Sequence, residues 1–322
     1  MKDKFNREID YLRISVTENC NLRCLYCIED DNYNPQNSKY ITNEEIEKIV
    51  SQCSKLGIKK IRITGGEPLA RKDIEELFFR LNNIDGINEI HMTTNGVLLN
   101  DKVEILKEYG LKGVNISLDS LKEDKFYSIT KFNKLQDVLK AIDKSLELGL
   151  KVKINTVLID DINKDEIIDF VNFIKNKNID LRFIELMPIG AGKNYKGVSN
   201  DEVLRIIKSN FNDIKEVERP KSSGPARYIK IKNHKGKIGF ISAMSDCFCD
   251  DCNRIRLTSD GFLKKCLHFN CGTDLKKLLR ENIDDDSLKD IIRYTIYDKP
   301  EKHLFKISCD NKETKYMNQI GG

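Results

Sequence analysis

Three cysteines, Cys20, Cys24 and Cys27, stand in the run CNLRCLYC with the spacing Cys-x3-Cys-x2-Cys. Thiolate sulfur suits iron–sulfur clusters and zinc alike, but a zinc site completes a tetrahedron, and no fourth Cys or His lies close by in the chain. Three thiolates hold three irons of a 4Fe-4S cluster and leave the fourth iron for an outside ligand. A second group, in SDCFCDDCNRIRLTSDGFLKKCLHFNC, sets Cys249, Cys252 and Cys266 as Cys-x2-Cys-x13-Cys. This too points to metal, and here Cys247 and Cys271 keep a four-thiolate zinc ribbon open as an alternative. Of the ten cysteines only Cys53 and Cys309 stand apart and read as ordinary thiols. Such clustering favours metal over disulfides in a chain without an export pattern. His91, His234, His268 and His303 form no ligand spacing.

Charged residues inside apolar runs are the next signal. In KKIRIT, Lys60 and Arg62 share one face by the period of two and Ile61 and Ile63 the other; Arg13 in YLRISV, Lys153 in VKIN and Arg182 in LRFIEL are similarly placed. Strands of a parallel sheet are covered on both faces, where an unpaired cation is costly. The cations therefore need carboxylates, with Glu67, Asp119 and Glu185 as candidates, or a polyanionic ligand such as a triphosphate. Arg254 and Arg256 alternate just after Cys252, so they point together beside the second group, and planar guanidinium suits phosphate. TGGEP, Thr64 to Pro68, offers two glycines where backbone can approach a ligand and a proline that fixes the exit; by itself it is also an ordinary strand-to-helix turn.

The elements that must position these residues follow from periodicity. Strands are predicted at YLRISV, KIRIT, EIHMTT, GVNISL, VKINTVL and LRFIEL, separated by helical patterns such as NEEIEKIVSQCSKLG and KDEIIDFVNFIKNK, with Gly57, Gly110 and Gly149 at helix ends. Six such units predict an α/β fold, a partial (β/α)6 barrel over residues 1–190. The polar motifs fall at the C-terminal ends of the strands, the face on which barrels carry chemistry. After Pro188 a helix near 200–210 precedes RYIKIKN, KIGFISA and RIRLT. This reads as a small antiparallel β extension, residues 191–296, packed over the barrel opening and carrying the second cysteine group. Residues 297–322 read by composition as a loosely ordered tail.

The chain has 322 residues, with 55 Lys and Arg against 51 Asp and Glu, net +4. A surface so mixed gives no case for duplex nucleic acid or an anionic membrane. No apolar run is long enough to span a bilayer, and MKDKFNREID is no signal peptide, so a cytoplasmic location is expected.

The first cysteine spacing, with Tyr26 before the last Cys, resembles the signature of radical S-adenosylmethionine (SAM) enzymes. In these the open iron binds the amino and carboxylate groups of SAM and an electron from the cluster releases a 5'-deoxyadenosyl radical. Both groups together make the chain resemble, end to end, the GTP 3',8-cyclases of molybdenum cofactor biosynthesis. The motifs are CNLRCLYC, KKIRITGGEPL, TTNG, NISLD, RFIELM, GPARY at 224–228, FCDDCNRIRLTSDGFLKKCL and the terminal Gly321-Gly322. The resemblance implies that Cys20, Cys24 and Cys27 hold the SAM cluster and that Tyr26, Gly66, Ser117 and Met187 contact SAM. It implies a second 4Fe-4S cluster on Cys249, Cys252 and Cys266 whose open iron takes guanine, and a GTP site lined by Arg13, Lys60, Arg62, Thr93, Lys153, Arg182, Arg254, Ile255 and Arg256. Gly321 and Gly322 are implied to enter the active site and to be needed for catalysis, whereas Cys247 and Cys271 depart from the family pattern and read as spare thiols. The implied reaction turns GTP into (8S)-3',8-cyclo-7,8-dihydroguanosine 5'-triphosphate. A flavodoxin- or ferredoxin-type reductant, a downstream cyclic pyranopterin monophosphate synthase and a homodimer are the implied partners. A radical SAM peptide-modifying maturase with an auxiliary cluster is the alternative enzyme, and a zinc-ribbon binding protein the alternative without catalysis.

Overall fold

Strict alternation of apolar and polar residues builds one sheet with two very different faces. The computed structural model describes residues 1–28, 40–218, 224–246, 248–302 and 315–321. Among these, the strands are β1 (Tyr11–Ser15), β2 (Lys60–Thr64), β3 (Glu89–Thr94), β4 (Leu111–Ser117), β5 (Lys151–Val157), β6 (Ile179–Ile184), β7 (Ile214–Val217), β8 (Arg227–Ile231), β9 (Lys237–Ile241), β10 (Arg254–Leu257), β11 (Phe262–Lys264) and β12 (Gly272–Asp274). They pair in the order β12-β11-β10-β1-β2-β3-β4-β5-β6-β9-β8-β7. Strands β1 to β6 run parallel, as the βα rhythm predicts.

One face is the core. Leu12, Ile14, Ile61, Ile63, Met92, Val114, Ile116, Ile154, Leu181 and Phe183 are fully buried there with the apolar stripes of the helices. Helix Asn43–Lys55 contributes Ile46, Ile49, Val50 and Cys53, and it begins in a capping box between Thr42 and Glu45. Gly57, Gly110 and Gly149 all take positive φ directly after helices, the conformation that made them readable as helix ends. Cys53 is buried in this core, as an ordinary apolar thiol should be.

The opposite face curls inward. Arg182 on β6 and Arg62 on β2 line one cavity, with three strands between them. In a flat sheet these two strands would lie about 19 Å apart. The C-terminal region does not sit on this sheet as a separate layer over its opening. Instead β9 adds in parallel beside β6 and β10 in parallel beside β1, and the antiparallel pairs β8-β7 and β11-β12 continue outward from them. A period-two pattern predicts a strand but not the edge it joins, so the edges that β9 and β10 take could not be read from the sequence. No helix among the described residues is long and apolar enough to cross a membrane.

Candidate active site

The inward face encloses a cavity of about 630 Å³ lined by residues of both cysteine groups. Cys20, Cys24 and Cys27 lie in the loop that leaves β1, at the C-terminal ends of the parallel strands. Cys249 and Cys252 precede β10, and Cys266 follows β11, which runs antiparallel to β10. Because β10 is parallel to β1, the second group stands at the N-terminal ends of the strands. Polar chemistry is thus not confined to the C-terminal face: the cavity runs along the strands with one thiol group at each end.

Between them lie the cations. Arg256, Arg13 and Arg62 are direct register neighbours on β10, β1 and β2, so three guanidinium groups stand in a row across adjacent strands. Burial, then the neighbouring Arg256, holds the Arg13 guanidinium well below its ordinary value; burial and Arg254 bring Arg256 down to about 10. Burial alone would raise the Tyr11 phenol, but Arg62, Arg13 and Arg254 around it pull it to about 8. Among the described lining residues nine are Lys or Arg and three are Asp or Glu.

The three carboxylates expected from the sequence do not pair with these cations. Glu67 accepts from the backbone N–H groups of Leu69 and Asn95 and from Thr94 Oγ1, and burial raises it to about 7. Asp119 accepts from Tyr26 Oη at 2.6 Å and from the Val157 N–H at 2.8 Å. Glu185 takes the backbone N–H groups of Asn200, Met244 and Ser245 together with Ser245 Oγ. All three brace loops. The lysines instead meet Glu89 and Asp180, with Lys60 Nζ 3.2 Å from Glu89 and Lys153 Nζ 2.7 Å from Asp180. Arg62 donates to Tyr11 Oη and to the Met92 carbonyl, and Arg182 to Asn155 Oδ1. Arg182 Nε and Thr93 Oγ1 are buried without a hydrogen-bond partner among the described residues, which suits a polar ligand.

Around the first group, Gly66 N–H donates to the Thr17 carbonyl and Glu67 N–H to that of Asn19. A Cβ on Gly66 would collide with the Glu18 and Asn19 carbonyls. The close approach that TGGEP permits is therefore first of all to the loop leading into Cys20. Asn95 Nδ2 lies 3.8 Å from Cys20 Sγ. Burial pushes Cys20 up to about 11, Cys27 up to about 12 and Cys24 in the same direction, so these thiols ionise when a metal supplies positive charge. At the other end burial opposes ionisation of Cys252 as well, yet Arg254 and Lys299 overcome it and bring the thiol to about 6.

The donors come as two sets of three thiols. Each group brings three thiols to the cavity, and among the described residues no three His, Cys, Asp or Glu side chains gather as a single metal ion requires. A 4Fe-4S cube needs no such gathering, since each thiolate meets its own iron.

Tyr26, Gly66, Ser117 and Met187 line the cavity, as do Arg13, Lys60, Arg62, Thr93, Lys153, Arg182, Arg254 and Arg256. Ile255 is the exception: fully buried between two cavity-facing arginines, its side chain belongs to the core face. Tyr11, His91, Asn115 and Asn155 also line the cavity, and the alternation that exposed Arg13 and Lys153 would have found them. Tyr228, His268 and Lys299 are lining residues with no periodic signal. The tail is ordered at its end, contrary to its composition. Its turn Met317–Ile320 packs beside the cavity, and the Gly321 carbonyl accepts from Arg256 Nη1 at 2.7 Å. Gly322, Cys247, His303 and Cys309 lie outside the described residues. Cys271 is half-buried near Cys266 but does not line the cavity.

Residues 14–174 match the Radical SAM superfamily model and residues 179–305 the model described as Molybdenum Cofactor Synthesis C. A GTP 3',8-cyclase of Clostridium perfringens (strain SM101 / Type A) is 54% identical over the whole of both chains. One of Clostridium botulinum (strain Hall / ATCC 3502 / NCTC 13319 / Type A) is 49% identical, again over the whole of both. Among solved structures, SuiB of Streptococcus suis bound to S-adenosylmethionine superposes with a TM-score of 0.64 at 17% identity, covering 92% of this chain and 66% of that one. At that identity the likeness is one of fold.

Proposed function

Because the chain belongs to the GTP 3',8-cyclase family of radical SAM enzymes, we propose that its lengthwise cavity is where GTP becomes (8S)-3',8-cyclo-7,8-dihydroguanosine 5'-triphosphate, the first step of molybdenum cofactor biosynthesis. The observation that carries this reading is the in-register row Arg256, Arg13 and Arg62 lying between two thiol groups at opposite ends. When bound, a reduced cluster and SAM supply the 5'-deoxyadenosyl radical that takes the C3' hydrogen of GTP, after which C3' bonds to C8 of guanine.

On this reading Cys20, Cys24 and Cys27 hold the first cluster, with Tyr26, Gly66, Ser117 and Met187 around SAM. Cys249, Cys252 and Cys266 hold a second 4Fe-4S cluster that takes the guanine. The arginine row grips the triphosphate, since forked guanidinium groups match phosphate oxygens in pairs. Lys60, Lys153 and Arg254 add charge, and Arg182 Nε and Thr93 Oγ1 find polar partners on the nucleotide. Ile255 acts only through its backbone, between Arg254 and Arg256. Val157, Ile184, Leu186 and Ile189 give the wall an apolar stretch that keeps water from the reacting carbon. Gly321 lets the tail enter where a side chain would collide, and Gly322 shares its role. GTP loses a hydrogen atom and regains an electron and a proton, so the product is its isomer.

Residues 1–190 form the partial (β/α)6 barrel of this reading, 191–296 the region of the second cluster and 297–322 the tail. On family grounds we also assign a flavodoxin- or ferredoxin-type electron donor, a cyclic pyranopterin monophosphate synthase as the next enzyme, a homodimer and a cytoplasmic location. The test is anaerobic incubation of reconstituted protein with SAM and dithionite, with and without GTP. The expected result is GTP-dependent 5'-deoxyadenosine and an isomer of GTP; cleavage of SAM that is indifferent to GTP but responds to a peptide would reject the cyclase.

A further inference from the structure

Strand β4 turns Val114 and Ile116 to the core and, by the period of two, Gly113, Asn115 and Ser117 to the cavity. Asn115 is only 6% exposed, with Thr93 and Lys153 as its register neighbours on β3 and β5. Four other asparagines line the cavity, and each is tied to the protein. Asn95 Nδ2 donates to Asn21 Oδ1 at 2.7 Å, Asn253 Nδ2 to Asp10 Oδ1 at 2.6 Å and Asn318 Nδ2 to the Glu18 carbonyl at 3.3 Å, while Asn155 Oδ1 accepts from Arg182. Of the five, Asn115 alone has no side-chain hydrogen bond among the described residues. A buried amide in that state calls for a partner from outside the chain.

Its level in the sheet indicates which partner. The arginine row ends at Arg62, whose register neighbours are His91 and then Gly113 on β4. Asn115 therefore stands one residue pair, about 7 Å, nearer the first thiol group, and Ser117 lies about 7 Å beyond it. With the triphosphate on the arginine row and SAM beside Ser117, the stretch between them belongs to the sugar that carries the one and reacts with the other. We propose that Asn115 recognises the ribose of GTP, its Nδ2 donating to one of the vicinal 2'- and 3'-hydroxyls and its Oδ1 accepting from the other. The inference rests on the GTP reading and adds to it the choice of ribonucleotide over deoxyribonucleotide. A phosphate oxygen only accepts and is better served by the nearby guanidinium groups; a hydroxyl both donates and accepts, as an amide does.

The test is equilibrium dialysis of GTP and of 2'-deoxy-GTP against full-length reconstituted protein, with SAM and without reductant so that neither turns over. Wild type is expected to bind GTP about tenfold more tightly than 2'-deoxy-GTP, the worth of one buried hydroxyl hydrogen bond. Asn115→Ala and the similarly sized Asn115→Leu are expected to bring that ratio close to one, whereas damage to the fold alone would weaken both nucleotides alike and keep it. A wild-type ratio near one, or a ratio kept in the variants, overturns the proposal. A kept ratio with weaker SAM binding overturns it too, by giving the amide to the ribose of SAM instead. Wild type that binds neither nucleotide rejects the GTP reading underneath, and the inference with it.

Discussion

Arg13, Arg62 and Arg256 carry like charges side by side, and their mutual repulsion opposes folding. Arg62→Met should therefore unfold at a higher temperature than wild type without nucleotide, followed by circular dichroism because the chain has no Trp. The same variant should bind GTP at least tenfold more weakly, about 1.4 kcal/mol, by equilibrium dialysis. His91, next to Arg62 in register, donates from Nε2 to Glu89 Oε2 over 2.8 Å. Burial, then Arg62, lowers its pKa from 6.5 to about 4. The unfolded chain thus binds more protons between these values, so this contribution to stability is present above about pH 6.5 and lost as pH falls toward 4. From pH 7.5 to 5.5 wild type should lose about 1.4 kcal/mol that His91→Gln does not, by urea unfolding at both pH values. At this scale the sequence was legible wherever a residue's face followed from the period of two, as for Lys60, Arg62 and Arg182. It was not legible for partners: Glu67, Asp119 and Glu185 looked like counter-ions, yet a carboxylate at a strand end is equally able to hold a loop by its N–H groups, and only the loop's path decides.

Glu185 ties the end of β6 to the turn at 244–245, which follows β9, three strands on in chain order, and lies just ahead of Cys249. Both of its oxygens accept, so Glu185→Gln would set an amide against N–H donors. The variant should lose the iron of the second group, roughly half of the total on the two-cluster reading, while the SAM-responsive EPR signal survives. Gly66→Ala should do the reverse, since its Cβ would part the TGGEP loop from the loop entering Cys20. Iron analysis and EPR of the two variants separate these outcomes. The six βα units were readable because buried parallel strands and amphipathic helices each write their own period into the sequence. RYIKIKN, KIGFISA and RIRLT were readable as strands too, but nothing in them told that β9 would join β6 while β10 joined β1.

The two regions matched by different family models share one sheet, with β9 and β10 closing off the flanks of the six-stranded parallel segment. A chain ending at residue 190 would leave the long edges of β1 and β6 unpaired. Such a truncation should aggregate and show no cooperative thermal transition, whereas removal of residues 315–322 should leave the transition in place. The five residues of β1 begin level with Arg254, two positions after Cys252, and end five positions before Cys20. The strand, about 17 Å of extended chain, is thus a caliper whose jaws are the two thiol groups. Two small molecules, one seated in each jaw, meet only if their combined reach fills that opening. On the two-cluster reading, selection by length then precedes any recognition of the base: a free nucleobase falls short, and two residues inserted into β1 would part the jaws by about 7 Å without turning a single side chain to the other face.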